Sequence, residues 1–264
     1  MGSERSNTVN LNLFDLTGEV AVVTGGNGGM GRGIALGLAS AGSAVAILCR
    51  NVEKNAAVLA ELRALNVPAL AVRVDLSDRA QLQPALAEVE SGLGPVTILV
   101  NNAAILVIKG MFEHTPEEWD QVIETDLNAC FLMAKYAAQS MLARKAGKII
   151  NIASEYSIFG SALVPSYGVA KGALIQLTKS LAIELAPFNI QVNAILPGWF
   201  NTDLTQPMKT PAFEALYNEV ITRTPAGRFG NPEECAGAAI FLASRASDFV
   251  TGSTVTVDGG YMIR

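Results

Sequence analysis

At 264 residues, half of them apolar and 16% charged, with a formal net charge of −5, the chain has enough material for one substantial core and is too apolar to be disordered. A sequence pI near 5.0 disfavours a nucleic-acid surface, and no stretch offers the roughly 18 uninterrupted apolar residues of a membrane span. With a polar start that lacks the apolar stretch of a secretory signal, these figures predict a cytoplasmic protein whose partners are small molecules, with no nucleic acid and no membrane among them.

Residues 1–12 are expected to form a flexible leading segment of a single domain covering 1–264. The first strand is read at EVAVVT (19–24), which runs directly into TGGNGGMG (24–31) and a helical stretch, RGIALGLASAG (32–42). Glycines in that place permit positive φ and let backbone N–H groups approach a pyrophosphate, while the helix N-terminus adds favourable partial charge. Two registers fit: Gly26, Gly28 and Gly31 match G-x-G-x-x-G, whereas Thr24, Gly25, Gly29 and Gly31 match T-G-x-x-x-G-x-G. Set between a strand and a helix, either one predicts a dinucleotide site.

The second strand, SAVAILC (43–49), is followed by Arg50, where dinucleotide folds choose their cofactor. An acid there accepts hydrogen bonds from the adenosine ribose, whereas an arginine binds a 2′-phosphate by charge-assisted contacts. No carboxylate occurs before Glu53, so NADP(H) is favoured and NAD(H) is possible. After a helix over 55–66 comes the third strand, PALAVRVD (68–75). Its last residue, Asp75, is a candidate acceptor for the adenine amino group or a turn residue ahead of Leu76 and Ser77.

A helix over 78–94 and a fourth strand, VTILVNN (96–102), lead to the single histidine, His114, read as structural. A long helix is predicted over 116–147, with Glu117, Glu118 and Asp120 in its first turn, where the helix dipole favours acids. Cys49, Cys130 and Cys235 form no C-x-x-C pair, so they are read as small apolar fillers, with no metal site. The fifth strand, KIINIAS (148–154), ends at Ser154, and the next helix (166–187) carries Tyr167 and Lys171. A sixth strand, IQVNAIL (190–196), and a seventh, TVTVDG (254–259), flank a long polar connection over 199–229; connections of that length are usually functional lids. Strands that are apolar throughout, alternating with helices, predict the α/β class: a single-domain Rossmann-type, doubly wound parallel sheet of seven strands with helices on both faces.

Tyr167 and Lys171, four residues apart, share one helix face, and Ser154 precedes the tyrosine by a loop. This set suits hydride chemistry on a carbonyl: the tyrosine gives a proton to the oxygen that the serine holds. The reverse reaction needs a tyrosinate, and bringing a phenol of pKa about 10 to neutrality costs roughly 4 kcal/mol. An ammonium about 4 Å away at an effective dielectric near 20 contributes about that much.

On these residues the chain resembles the short-chain dehydrogenase/reductase family from about Leu13 onward. The matching elements are the glycine loop, NNAA at 101–104, Ser154 with Tyr-x-x-x-Lys at Tyr167 and Lys171, Pro197–Gly198 with Thr202, and the late VDGG. The resemblance implies cofactor contacts by Thr24, Gly25, Asn27, Gly29, Met30, Gly31, Arg50, Asp75, Leu76, Asn102, Ala103, Tyr167, Lys171, Pro197, Gly198 and Thr202. It implies that Asn101 steadies the sheet and that the chain forms a homotetramer through helices near 116–145 and 165–186, whose small and apolar residues spread over more than one face. It also places Asp126 among the catalytic residues where the family usually has asparagine, able to pair with Lys171. Ala104 stands where glycine is commoner.

The substrate is expected to be a small secondary alcohol or ketone such as a sugar, polyol or sugar acid. Candidate pocket residues are Glu155, Tyr156, Leu163 and Trp199, with Gln206, Lys209 and Arg223 along the lid, either cation being able to pair a carboxylate. TPAGRFGNPEE and VDGGYMIR are similar to segments of bacterial sugar-acid dehydrogenases and of 3-oxoacyl carrier-protein reductases. The alternatives are therefore a 3-oxoacyl thioester reductase and, in another class, a dinucleotide-binding scaffold or sensor with little turnover.

Overall fold

Strand β1 (Val20–Thr24) is buried along its whole length, as happens when a strand is covered on both faces. The computed structural model describes residues 11–264; the flexible segment expected over 1–12 falls almost entirely outside the described residues, and Leu11–Phe14 forms a 3-10 turn. The other strands are β2 (Ala44–Cys49), β3 (Ala69–Arg73), β4 (Ile98–Asn101), β5 (Gly147–Ile152), β6 (Ile190–Pro197) and β7 (Thr254–Val257). They form one seven-stranded sheet in the order β3-β2-β1-β4-β5-β6-β7, with every neighbouring pair parallel. The chain builds outward from β1 to β3, then returns to the other side of β1 as β4, so a crevice opens at the carboxyl ends of β1 and β4.

Helices cover both faces. Helices α1 (Gly29–Ser40), α2 (Val52–Ala64) and α8 (Ala236–Ala243) pack Ile34, Leu38, Leu62 and Leu242 with Ala21, Val23, Val45 and Ile47. On the opposite face, α3 (Arg79–Leu93), α5 (Ala129–Arg144) and α6 (Pro165–Leu185) bring Leu82, Val89, Met133 and Leu185 against Val22, Leu48 and Leu99. Alternate residues of one strand thus feed two cores, and each large side chain buried this way contributes about 1.5–3 kcal/mol. The three cysteines are free and buried, as small apolar fillers are.

The long helix predicted over 116–147 is α4 (Pro116–Ile123) and α5 joined by a π-helical turn at Glu124–Asn128. It opens on a capping box between Thr115 and Glu118 and stops at Lys145, which takes left-handed φ of 52°. The connection over 199–229 contains a helix absent from the sequence reading, α7 (Glu214–Arg223).

Candidate active site

β1 runs into Gly25, whose φ of +66° is strained for any residue with a side chain. A Cβ on Gly31 would stand 2.3 Å from the Gly25 carbonyl oxygen and 2.4 Å from Asn102 Nδ2, so the first turn of α1 reaches the loop only as glycine. Gly28 caps α1 with no side-chain hydrogen bond, leaving first-turn N–H groups available beside the cleft. Gly25, Asn27, Gly29, Met30 and Gly31 line that cleft. Thr24 does not: it is buried, and its hydroxyl accepts the N–H groups of Asn102 and Ala103 at 2.9 and 3.0 Å. Asn102 Nδ2 donates back to the Thr24 carbonyl at 2.9 Å. Asn101 ties β4 to β5 and α5 through Asn151 Oδ1 and the Cys130 carbonyl, a steadying position of the kind the resemblance implies.

The far end of the cleft is lined by Arg50, Asp75, Leu76 and Ser77. Asp75 is the turn residue ahead of Leu76 and Ser77, its Oδ1 accepting the Ser77 hydroxyl at 2.7 Å and N–H at 3.0 Å, and it also borders the cleft. The Ser77 bond, with Arg50 Nη1 3.9 Å from Oδ2, holds its carboxyl below the usual range. Asn27 donates to Asn55 Oδ1 at 2.7 Å, pinning the glycine loop to α2. The sequence reading missed Lys54, which lines the cleft one turn beyond Arg50 and meets Asp203 Oδ2 at 2.7 Å. The pattern of two cations at a strand-to-helix junction was there to be read.

Between cleft and pocket stand Ser154, Tyr167 and Lys171. Ser154 follows β5 and its Oγ accepts the Tyr156 N–H at 3.2 Å. Tyr167 borders both spaces. Lys171, 1% exposed, lies 5.5 Å from the Tyr167 ring centroid and donates to the Ile152 carbonyl at 2.9 Å. Asp126 is fully buried in the π turn, behind the cleft wall; its Oδ1 accepts the Ile105 N–H at 2.9 Å and its Oδ2 is 3.9 Å from Lys171 Nζ. Asn128 cannot replace the family asparagine, because its amide is turned away to Glu124 Oε2 at 2.7 Å.

Burial pushes Asp126 up to about 6, against the pull of Lys171. Burial also raises Tyr167; Lys171 and the nearby Ser154 hydroxyl draw it down, while Asp126 opposes them. Lys171 does pull the phenol down, as expected of an ammonium set to supply most of the shift, but burial and a second, negative neighbour outweigh it and leave the phenol raised. Burial works against the charge of Lys171, yet Tyr167 and Asp126 together leave its pKa raised.

Beyond Tyr167 a second cavity is lined by Glu155, Tyr156, Leu163, Trp199, Pro197 and Gly198, with Met30 and Thr202 shared between the two spaces. Its walls, unforeseen in the sequence, are apolar: Leu106, Ile108, Met208, Phe213 and Leu216. Three expected lid contacts are corrected. Gln206 and Lys209 are exposed and lie off the lining. Arg223 is also off it, stacked between Phe159 at 4.6 Å and Tyr261 at 4.3 Å, because α7 turns it toward the C-terminal segment. His114 lies outside both spaces, edge-on to Trp119 at 6.3 Å.

A family model described as enoyl-(acyl carrier protein) reductase matches residues 25–262. The chain belongs to the short-chain dehydrogenase/reductase family. Among curated members of the short-chain dehydrogenase/reductase family, it is 38% identical over 256 residues to 2-dehydro-3-deoxy-D-gluconate 5-dehydrogenase of Formosa agariphila, covering 96% of each chain. Among solved structures of this family, it matches a gluconate 5-dehydrogenase from Burkholderia cenocepacia in complex with NADP and tartrate, with 39% identity and a TM-score of 0.90 over 96% of this chain and 99% of that one. A 3-oxoacyl (acyl-carrier-protein) reductase from Agrobacterium tumefaciens with NADP bound is 32% identical, with a TM-score of 0.91 over 97% and 99%.

Proposed function

We propose that this chain is an NADP(H)-dependent oxidoreductase that interconverts a secondary alcohol and a ketone on a sugar acid. The observation that carries this reading is Tyr167, set at the junction of a dinucleotide cleft and a second cavity, with Lys171 and Ser154 both acting on its phenol. The cleft fits NADP(H): the open space above Gly28, where a Cβ would meet nothing within 4 Å, makes room for phosphate at the start of α1. Arg50 and Lys54 supply cations at the ribose end. In this reading Gly25, Asn27, Gly29, Met30, Gly31, Asn102 and Ala103 hold the phosphates and ribose, with Thr24 supporting them from behind. Asp75 and Leu76 hold the adenine, and Pro197, Gly198 and Thr202 flank the reacting end.

When bound, NADP(H) supplies or takes the hydride. Tyr167 protonates the carbonyl oxygen in the reducing direction. Ser154 Oγ already accepts a backbone N–H, so its proton is free to hold the same oxygen. Lys171 steadies the phenolate that follows. With the phenol held above its usual pKa, the protonated form that ketone reduction needs is the one present near neutrality. The sugar acid is supported by the relatives that act on such compounds. The apolar cavity wall favours a second reading, a 3-oxoacyl thioester reductase. The retained grouping of Ser154, Tyr167 and Lys171 weighs against a binding-only scaffold.

We further infer self-association, as a homotetramer, through α5 and α6, which leave Phe131, Leu142, Val169 and Ile183 exposed. No helix among the described residues is long and apolar enough to cross a membrane, and the cytoplasm supplies the cofactor. The deciding test is a screen of sugar acids, polyols and 3-oxoacyl thioesters with NADPH and NADH. Reduction of keto-sugar acids with NADPH is the expected result; turnover of thioesters alone would overturn the substrate assignment.

A further inference from the structure

Glu155 is the side chain that the proposed chemistry leaves unexplained. It follows Ser154, lines the same cavity, is 3% exposed, and its Oε2 has no hydrogen-bond partner. The Trp199 indole, on the same lining, acts on Glu155 as a side-chain hydrogen-bond donor, but its Nε1 is also buried without a full hydrogen bond, so that contact leaves both groups incompletely satisfied. A buried carboxyl with an unfilled oxygen carries a desolvation cost that a well-placed ligand group would relieve. Among the residues of this lining Glu155 is the carboxyl and none is a Lys or Arg; the cation that acts on it, Arg223, stands off the lining.

We propose that Glu155 is the specificity-determining residue of this cavity, pairing with a hydroxyl on the carbon next to the reacting one. A substrate whose oxygen rests on Ser154 and Tyr167 presents that neighbouring carbon to the adjacent residue, and apart from hydroxyls such as those of Tyr156 and Ser161 the walls are apolar. The proposal deepens the carbonyl-reductase reading and rests on it. The groups that act on Glu155 are Arg223 from α7, Asp258 after β7, Trp199 after β6, Tyr261 near the C-terminus, and Tyr156 and Tyr167 beside it. Burial prevails among these influences: it lifts Glu155 to about 8, with Arg223 pulling the other way and Asp258 adding to the rise. At neutral pH the side chain is therefore a neutral acid. It donates to one substrate oxygen and accepts from a hydroxyl, and it does not repel the carboxylate of a sugar acid.

The test compares 3-hydroxy-2-butanone with 2-butanone, a matched pair differing by one hydroxyl, with NADPH and the full-length protein. The readout is the ratio of their kcat/KM values in the wild type, Glu155→Gln and Glu155→Leu, with thermal melting as a folding control. The wild type should prefer the hydroxylated ketone by about 100-fold at pH 7, since a site built around a substrate hydroxyl rejects the analogue that lacks it. Gln, which also donates and accepts, should keep most of that ratio; Leu should bring it within about threefold of unity. Above pH 8 the wild-type KM for 3-hydroxy-2-butanone should rise and that of Glu155→Gln should not. A Leu variant that keeps the wild-type ratio, or a Gln variant that loses it as fully as Leu, overturns the assignment of Glu155. A folded wild type that reduces neither ketone nor any keto-sugar acid overturns the underlying carbonyl-reductase reading, and the assignment with it.

Discussion

Replacing Asp126 with asparagine removes an anion 3.9 Å from Lys171 Nζ while keeping an oxygen for the Ile105 N–H. At an effective dielectric near 20, two unit charges at that separation interact by about 4 kcal/mol. A phenolate in contact with the ammonium at about 4 Å lies no more than about 8 Å from Asp126, so the two anions repel by at least ~2 kcal/mol, or roughly 1.5 pK units. Asp126 with a pKa near 6 is ionised at pH 7 and above, and its charge adds to burial in keeping Tyr167 protonated there. The assay is kcat/KM for NADP-dependent oxidation of an alcohol the wild type accepts, followed from pH 5 to 10.5. In Asp126→Asn the rising limb that reports the tyrosinate should move down by about 1.5 units, with oxidation at pH 8 increased about 30-fold. Below pH 6 the two proteins should converge, because Asp126 then carries its own proton. A limb that stays in place, or moves up, would refute the electrostatic role given to Asp126.

Glu155, raised to about 8 from 4.5, binds its proton more tightly folded than unfolded, so stability falls as pH rises from about 4.5 to about 8. Glu155→Gln should escape that loss, and its advantage in chemical denaturation should grow across this window to an order of 4 kcal/mol and then level off; an advantage independent of pH would contradict the burial argument. Arg50→Ala should raise the Kd for NADPH about tenfold or more and leave NADH nearly unchanged, as titration of cofactor fluorescence would show. Equal losses for the two cofactors would refute the phosphate contact. Gly31→Ala pushes a methyl to 2.3 Å from the Gly25 carbonyl and should abolish cofactor binding; wild-type affinity would mean that the loop is not held as described.

The sheet was legible because strands buried on both faces read as unbroken apolar runs, and the glycine loop because its φ values and close approaches admit little else. Tyr167 and Lys171 were legible as a helical pair, and Ser154 as a strand end. Less of the pocket could be read. The burial of Glu155, the stacking of Arg223 on Phe159 and Tyr261, and the outward turn of Lys209 depend on how the connection over 199–229 folds back, a long-range outcome with no local periodicity. The π turn at Glu124–Asn128 was likewise invisible, since one extra residue in a helix is paid for by packing against α6 and leaves no mark in the apolar pattern. Lys54, one turn past Arg50, had a legible spacing, but only the fold of α2 beside the cleft shows that it lines it.

The most direct measurement is steady-state NADPH oxidation by Tyr167→Phe with the ketone the wild type reduces best, alongside fluorescence titration of NADPH. Loss of the phenol's proton should lower kcat by at least about 10³-fold while the folded protein still takes up NADPH. Turnover within tenfold of the wild type would contradict the role assigned to that phenol.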